Sequence, residues 1–284
     1  MRDVGLVLEG GGSRGVYTGG VLQYLMEQEI YIPYVIGVSA GACNGSSYIS
    51  RQKERNKTVN IDYVGHPEYL SFRNWVKKRE VFGMDFLFDT LPNDLVPFDY
   101  ETFNKATEEF VVGVTDCKTG DPLFYHKSGY ANDMLTLLRA SSSLPMVAPI
   151  VHYDNLALMD GGISAPLPIK QSEKDGNRKN VVILTRNRGY YKKPQSSFSW
   201  YIKRKYRDYP GLLKALEERH IVYNDTLNYL YEEEKKGNVF IISPTEKLTV
   251  GRVEKNKKKL MDLYQKGYED VKKLGEDLKR FLAS

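Results

Sequence analysis

Two short apolar runs near the start of the chain each lead into a turn of very small residues. The runs, Val4–Leu8 and Tyr34–Val38, show no alternation with polar residues, which predicts β-strands buried on both faces of a sheet. The small-residue turns occupy 10–15 and 39–45, and helix-like residues follow each of them. A repeated strand, turn and helix predicts a three-layer α/β/α protein with a central, mostly parallel sheet.

The rest of the chain continues this pattern after one interruption. Between residues 51 and 100, prolines and scattered aromatic residues break the periodicity, and we interpret this stretch as a variable insert over one end of the sheet. After it we expect strands at 110–116, 122–125, 156–159, 180–185 and 238–243, and helices at 132–140 and 210–236. One long final helix is predicted from apolar residues that recur every three or four positions from Leu260 to Phe281, a stripe that packs on the chain's own core.

Composition excludes several classes of protein. The 284 residues are 41% hydrophobic, enough for a sizeable core, and the two cysteines, Cys43 and Cys117, have the spacing of neither a disulfide scaffold nor a zinc ribbon. No apolar stretch reaches the roughly 18 residues of a membrane span, and the apolar run after Arg2 is too short for a signal peptide. We therefore expect a cytoplasmic protein that needs neither a metal nor another cofactor.

Charge is distributed unevenly along the chain. Residues 1–185 contain 18 Lys and Arg against 22 Asp and Glu, whereas residues 186–284 contain 23 against 14. The basic final third is either a solvated helical face or a surface toward nucleic acid or an anionic membrane. No zinc-finger, RRM or KH pattern accompanies it, so we expect no nucleic-acid partner.

The second turn contains the motif G-x-S-x-G, formed by Gly37, Ser39 and Gly41 between a predicted strand and a predicted helix. A sharp strand-to-helix turn exposes the serine hydroxyl, and small flanking residues let the chain close without clashes. The helix that follows directs backbone N–H groups and a positive dipole end toward developing negative charge. Ser39 is therefore the candidate nucleophile.

The first turn, GGGSRG at 10–15, supports two interpretations. Consecutive glycine N–H groups form a nest for an anion, which in acyl transfer is the tetrahedral oxyanion. The same residues match the dinucleotide-binding pattern G-x-G-x-x-G. That alternative requires an acidic residue at the end of the second strand, where this chain has Val38 and Ser39, so the sequence favours the oxyanion interpretation.

A serine nucleophile needs a base, and Asp160-Gly161-Gly162 after a predicted strand supplies a candidate. The four histidines lie in no motif that marks a catalytic imidazole, and His220 is flanked by residues typical of an exposed helix face. We therefore interpret Asp160 as a base that acts directly on Ser39. Because a carboxylate is a weak base at neutral pH, we expect Asp160 to be partly buried, with a raised pKa.

In this order, the motifs GGGxRG, GxSxG and DGG resemble the patatin-like phospholipase family over about residues 4–185, and VTDCKTG at 114–120 and ASSSLP at 140–145 are similar to further family features. The resemblance implies a catalytic domain at 1–185 with a Ser–Asp dyad of Ser39 and Asp160. Arg14 occupies the family's arginine position, where it either braces the loop or meets a phosphate, and bracing is favoured. The implied oxyanion hole consists of Gly10, Gly11 and Gly12. The implied supporting glycines are Gly37, Gly41, Gly161 and Gly162.

The activity that the resemblance implies is that of a serine lipid acyl hydrolase, of the phospholipase A or esterase-lipase type, acting on a lipid or ester through an acyl-enzyme. Residues 186–284 look like the helical extension of one bacterial subgroup. Their basic residues either hold the protein on an anionic membrane surface, at the inner face of the membrane, or belong to a cap over the substrate groove. An acyltransferase with the same dyad and a catalytically silent lipid-binding regulator are the alternatives.

Overall fold

The computed structural model describes residues 3–69, 82–130, 133–194 and 200–284. The strands are β1 (Val4–Leu8), β2 (Tyr34–Val38), β3 (Glu109–Asp116), β4 (Pro122–His126), β5 (Val151–Tyr153), β6 (Leu156–Asp160), β7 (Lys179–Ile183) and β8 (Val239–Ile242). The main helices are α1 (Val16–Glu27), α2 (Ala40–Ile49), α3 (Tyr100–Lys105), α4 (Met134–Ser141), α5 (Ile169–Lys174), α6 (Trp200–Lys205), α7 (Pro210–Lys235), α8 (Lys257–Lys273) and α9 (Gly275–Ala283). Other helical segments lie at Gly12–Gly15, Arg55–Lys57, Thr58–Asp62, Tyr63–Gly65, Phe86–Leu95 and Lys127–Tyr130.

The described strands form one sheet in the order β5-β6-β3-β2-β1-β7-β8, with β4 also paired to β3. The strands from β3 to β8 in this order run parallel, and Leu8 of β1 lies opposite Gly37 of β2 and Ile183 of β7. Because parallel strands end at the same edge, the loops after β1, β2 and β7 emerge side by side. The two glycine-containing turns of the sequence are therefore neighbours in the fold.

The strand β3 is shared by three partners, and this sharing positions the end of β6. It pairs with β2 as far as Gly113 and with β6 from Val114 onward, while β4 pairs with a stretch that overlaps both. Since a strand has only two edges, β2 and β6 must follow one another along the same edge of β3. Val38 lies opposite Gly113 and Asp160 lies opposite Val114, so the end of β6 is placed next to the end of β2.

Helices cover both faces of the sheet because its strands are apolar on both sides. Leu6 and Leu8 of β1 belong to a core cluster with α1, α2 and α8, whereas Val7 belongs to the opposite cluster with α7. The alternation within one strand thus places one helical layer on each face. The three-layer α/β architecture expected from the sequence is confirmed, and a helical C-terminal region is present.

The first and last parts of the chain meet where α1 crosses α8. A Cβ on Gly20 would overlap the carbonyl oxygen of Tyr264, and a Cβ on Gly267 would overlap that of Tyr17. The two helices approach each other this closely because glycines lie at the crossing. The apolar stripe of α8 therefore packs on the chain's own core, as expected.

The structure differs from the sequence predictions in several elements, among them the short helices α3, α5 and α6, which were not predicted. The single helix expected across Leu260–Phe281 is wrong: it ends at Lys273, and α9 begins at Gly275. A side chain at Gly275 would meet the hydroxyl of Tyr24, so the chain turns there to bury Leu278. The three-residue strand β5 was not predicted.

Two further expectations are only partly covered by the structure. Residues 70–81 of the expected insert and 132 of the expected helix at 132–140 lie outside the described residues. The division into 1–185 and 186–284 stays a prediction, although β8 of the second part joins the sheet beside β7. Within the described ranges, none of the helices combines the length and apolarity that crossing a membrane requires.

Candidate active site

Ser39 lies on a tight turn between β2 and α2, in a strained backbone conformation. Its φ and ψ are 54° and −130°, a combination that non-glycine residues rarely adopt and that is typical of functional turns. A Cβ on Gly37 would lie 2.7 Å from the Ala42 nitrogen, and one on Gly41 would overlap the carbonyl oxygen of Leu8. Both glycines of the motif are therefore required for the turn to close against β1.

Ser141, the last residue of α4, supports this turn through its side-chain hydroxyl. Its buried hydroxyl accepts a hydrogen bond from the Ser39 N–H at 2.8 Å and donates one to the Gly113 carbonyl at 2.6 Å. The serine side chain thus joins the turn to β3. The segment 140–145 is similar to a family feature in the sequence, but no local pattern indicates a role for Ser141.

Asp160, at the end of β6, is held by hydrogen bonds to both its backbone and its side chain. The Asp160 N–H donates to the Ser143 carbonyl at 2.9 Å, and the Asp160 carbonyl accepts from the Thr115 hydroxyl at 2.8 Å. Oδ1 accepts from the Gly162 N–H at 2.7 Å. A Cβ on Gly161 would overlap the Gly113 carbonyl oxygen, so the DGG turn lies directly against β3.

The other carboxylate oxygen of Asp160, Oδ2, is buried and has no hydrogen-bond partner among the described residues. Burial raises the pKa of Asp160, against the opposing effects of the Arg219 guanidinium, the nearby Ser39 hydroxyl and the Gly162 N–H. The raised pKa agrees with the sequence argument, but the side chain is only 1% exposed rather than partly buried. Hydrogen bonds between catalytic groups are often long before substrate binds. Oδ2 is therefore free to accept a proton from Ser39.

The glycine loop after β1 lies against Ser39. A Cβ on Gly10 would be 3.0 Å from the Ser39 Cβ, and Gly12 adopts a φ of +58°. The N–H groups of Gly10, Gly11 and Gly12 donate no hydrogen bond to another residue within the described ranges, whereas the next N–H, that of Ser13, donates to the Arg252 carbonyl at 2.9 Å. The three glycine donors thus remain open beside the nucleophile candidate, as an oxyanion site requires.

Ser39 borders two cavities of different character. One has a volume of about 1050 Å³ and is lined mainly by apolar side chains from residues 55–98 and from α4. The other has a volume of about 490 Å³ and contains the glycine loop, Asp160 and several cationic side chains. Leu144 and Arg252 line both cavities, so the two spaces meet at the serine.

Several residues of the second cavity come from parts of the chain that no motif indicated. Arg186, Lys192, Arg219 and Arg252 all follow residue 185. Arg219, on α7, donates from Nε to the Gly162 carbonyl at 2.6 Å and so contacts the DGG turn directly. The sequence offered no local signal for these residues, since each is one of many basic residues in its segment.

Two sequence expectations about individual side chains have different outcomes. Arg14 lines the cationic cavity, and its guanidinium makes no hydrogen bond to another described residue, so its role in bracing the loop stays a prediction. His220 lies on α7, with Nδ1 3.0 Å from the Glu217 carbonyl oxygen of its own helix. All four histidines are within the described residues, and none lines either cavity.

Comparisons with known proteins agree with this geometry. A family model described as patatin-like phospholipase matches residues 6–172, and a second model, for a domain of unknown function, matches residues 209–283. The uncharacterized protein YjjU of Escherichia coli is 26% identical over 257 residues, which cover 86% of this chain and 69% of that protein. The lysophospholipase NTE1 of Meyerozyma guilliermondii is 28% identical over 193 residues, but this chain spans only 12% of its length.

A solved structure gives a likeness of fold alone. The crystal structure of VipD from Legionella pneumophila superposes with a TM-score of 0.53 at 14% identity, covering 98% of this chain and 67% of that one. The likeness extends beyond the segment that contains the three motifs, and therefore includes the C-terminal elements that line the cationic cavity.

Proposed function

The chain belongs to the patatin-like phospholipase family, and we propose that it is a serine lipid acyl hydrolase of the phospholipase A or esterase type, with Ser39 as nucleophile and Asp160 as base. One observation carries the proposal. A strained turn places Ser39, which borders both cavities, next to a buried carboxylate whose Oδ2 lacks a partner among the described residues. The NTE1 relatives are named lysophospholipases, which favours the same class of reaction.

In the first half of the reaction, Oδ2 of Asp160 takes the proton of the Ser39 hydroxyl as Oγ attacks the ester carbonyl carbon. The carbonyl oxygen becomes an oxyanion, which accepts hydrogen bonds from the open N–H groups of the glycine loop. When the tetrahedral intermediate collapses, the bond to the alcohol breaks and the alcohol leaves with the proton held by Asp160. The product on the enzyme is an acyl ester of Ser39.

In the second half, Asp160 takes a proton from a water molecule, whose oxygen attacks the acyl-enzyme carbonyl. The same glycine donors stabilise the second oxyanion. Collapse breaks the bond to Ser39 Oγ, which recovers its proton from Asp160, and the fatty acid leaves. The raised pKa of Asp160, caused by its burial, makes the carboxylate a stronger base than an exposed aspartate.

The apolar cavity is the site that we assign to the acyl chain. Its space of about 1050 Å³, which includes the part open to solvent, is lined mainly by apolar side chains, as a site for a hydrocarbon chain requires. Its walls include Val64, Phe82, Phe88 and Leu138. An acyl chain placed there has its ester carbonyl at Ser39, where the cavity ends.

Peripheral contact with an anionic membrane surface is part of the proposal. The exposed cations of α6, Lys203, Arg204 and Lys205, follow Trp200, which is 70% exposed. A second group of exposed lysines lies at 255–259. Each basic residue near an anionic surface contributes about 1 kcal/mol, and tryptophan favours the membrane–water interface. A cytoplasmic location, with contact at the inner face of the membrane, stays a prediction.

Labelling with a fluorophosphonate probe tests the proposed dyad. We expect the wild type to be labelled, Ser39→Ala not to be labelled, and Asp160→Asn to react about 10²–10⁴-fold more slowly, as for loss of a general base. Ser50→Ala, which removes another buried hydroxyl at the end of the same helix α2, is the matched control and keeps the wild-type rate.

Each alternative gives a different result in this experiment. A folded wild type that is never labelled would overturn the proposal in favour of a lipid-binding regulator. Labelling of Ser39 together with transfer of the acyl group to an added alcohol or thiol, faster than to water, would identify an acyltransferase instead. Circular dichroism and thermal denaturation of every variant show whether it is folded.

A further inference from the structure

The smaller cavity at Ser39 carries an excess of positive charge. Its lining contains two carboxylates, Glu9 and Asp160, and five cationic side chains, which are Arg14, Arg186, Lys192, Arg219 and Arg252. The mechanism needs only one carboxylate and the glycine donors from this group. The cations are therefore not explained by the acyl transfer itself.

Glu9 and Asp160 offset only part of this positive charge. Among the described residues, none of the five has a nitrogen within 4.0 Å of a carboxylate oxygen. Arg14 is only 7% exposed, and its Nε has no hydrogen-bond partner in the described parts of the chain. Burying unpaired charge is costly, so a cluster of this kind is stabilised by an anion from outside.

The pKa values of two cations in this cavity also reflect the cost of burying unpaired positive charge. Burial, followed by the nearby Arg219, lowers the pKa of Lys192 to about 7. Burial, followed by Arg186, lowers the pKa of Arg14 to about 10. An anion placed among these groups removes the mutual repulsion and restores their protonation.

The backbone of Lys192 and the side chains of Lys192 and Arg186 are also held in place. The Lys192 N–H donates to Oδ1 of Asn224 at 2.8 Å, and Nδ2 of Asn224 donates back to the Lys192 carbonyl at 2.9 Å. The Lys192 ammonium lies 4.2 Å from the centroid of the Tyr223 ring, and the Arg186 guanidinium lies 4.4 Å from that of Tyr190. Side chains fixed in this way form a preorganised binding site rather than a group of mobile surface charges.

We propose that this cavity binds the phosphate of the substrate, and that the preferred substrates are acyl esters of a phosphorylated alcohol with a net negative head group, such as a phosphatidic or lysophosphatidic acid. This inference rests on the proposed function. With the ester carbonyl at Ser39 and the acyl chain in the apolar cavity, the head group faces the cations. Both of these lipids carry a phosphate group with two negative charges.

The same charge distribution disfavours zwitterionic head groups. A choline or ethanolamine head group carries a cation beside its phosphate, and that cation would enter a cavity that already has five positive side chains. Placing a like charge in a confined site opposes binding of the wrong substrate. The preference is therefore for anionic head groups over both neutral and zwitterionic ones.

Two esters that differ only in the phosphate test the proposal. We would compare kcat/KM for a short-chain 1-acylglycerol 3-phosphate and for the 1-monoacylglycerol with the same acyl chain, both below their micelle concentrations. The wild type is expected to favour the phosphorylated ester by about tenfold or more, since charge-assisted hydrogen bonds discriminate strongly. Lys192→Met and Arg186→Gln are expected to reduce this ratio by about tenfold each.

The control variant is Lys214→Gln, which removes a positive charge from the exposed side of α7, outside the cationic cavity, and keeps the wild-type ratio. The ratio compares two substrates on one preparation, so loss of folded protein does not change it. Thermal denaturation shows which variants are folded. A folded wild type that hydrolyses both esters equally overturns the head-group proposal and leaves the proposed function intact.

A binding measurement separates the failure of the two proposals. Isothermal titration of Ser39→Ala with glycerol 3-phosphate and with inorganic phosphate needs no turnover. One outcome is that neither ester is hydrolysed, but glycerol 3-phosphate binds and Lys192→Met abolishes the binding. The phosphate-binding site is then supported, and the proposed hydrolase activity is overturned. If inorganic phosphate binds and changes the hydrolysis of both esters without any preference between them, the site takes free phosphate, and the lipid proposal is overturned.

Discussion

The hydroxyl of Ser141 accepts a hydrogen bond from the N–H of Ser39 at 2.8 Å, although the two residues are 102 positions apart in the chain. The same hydroxyl donates to the Gly113 carbonyl, so one small side chain ties the strained turn to the strand that also pairs with β6. The geometry of the proposed nucleophile therefore depends on a residue that does not contact substrate.

Replacing Ser141 by alanine tests this support. Ser141→Ala removes the acceptor of the Ser39 N–H and one donor to the Gly113 carbonyl, and we expect unfolding to cost about 1–3 kcal/mol less. Fluorophosphonate labelling should also slow, because the turn is no longer held. The matched control is Ser172→Ala, which removes another buried hydroxyl, bonded to Asn180 and remote from the site. Similar destabilisation with an unchanged labelling rate is expected there, and equal slowing in both variants would contradict the role of Ser141.

Gly41, the second glycine of the G-x-S-x-G motif, gives a prediction about how α2 packs against β1. Gly41→Ala places a methyl group on the Leu8 carbonyl oxygen, and we expect a loss of about 1–3 kcal/mol or more in the free energy of unfolding. Gly129→Ala, at a position with open space around it, is the control. Urea denaturation of the two variants checks the difference. Equal stabilities would show that α2 does not lie against β1 as described.

The pH dependence of hydrolysis follows from the carboxylate of Asp160. Its pKa is raised by burial, and the base must be ionised, so kcat/KM for a neutral ester is expected to fall as the pH decreases through that raised pKa. Arg219 opposes the shift, so Arg219→Met should raise the pKa further and move the acid limb to higher pH. Lys214→Met serves as the charge control. An acid limb that stays in place in Arg219→Met would contradict the electrostatic link between the two residues.

The head-group preference should weaken as pH increases. Below its pKa of about 7, Lys192 is charged, and above it the ammonium loses its proton. The groups that act on it are the cations Arg14, Arg219 and Arg252 and the carboxylate of Glu9. Between pH 7 and 9 a phosphate monoester is already a dianion, since its second pKa is about 6. The ratio of kcat/KM for the phosphorylated and neutral esters should decline over that interval, whereas Lys192→Met should show a flat profile.

Binding to vesicles tests the proposed membrane contact. Substitution of Lys203 by Gln is expected to weaken binding to anionic vesicles about fivefold, from the ~1 kcal/mol per basic residue near such a surface. Binding of the wild type should also weaken as salt increases, because exposed charges are screened. Co-sedimentation with anionic and with neutral vesicles measures both effects. Salt-insensitive binding, or none, would contradict the proposal.

The sequence predicted the parts of this structure that are specified locally. The strands before Gly10 and Ser39 are continuous apolar runs, and the turns that follow require small residues within a few positions of each other, so a short window contains the information. The neighbourhood of Asp160 and Ser39 was inferred from chemistry rather than from geometry. It arises because β2 and β6 follow one another along β3, a pairing that no local pattern specifies.

The cationic cavity was missed for a related reason. Arg219 contacts Gly162 across 57 positions, and it lies on a helix whose other basic residues are exposed. Whether an arginine points into a cavity or into water depends on which face of the helix packs on the sheet, and that face is set by the partners of Tyr223 and Leu227. The surroundings of Arg14 could not be derived from its motif, because Arg186 and Arg252, which share its cavity, lie far along the chain.

The crossing of α1 and α8 also affects the order in which this protein can be completed during synthesis. The surface on which α1 packs belongs to residues 257–273, so it leaves the ribosome long after α1. The centre of the sheet likewise waits for β7, since β1 lies between β2 and β7. Such long-range contacts form slowly and leave the early segments unpartnered in the meantime. An unfinished chain therefore contains Ser39 without Arg186, Lys192, Arg219 and Arg252, the later side chains that line its cavity in the folded protein.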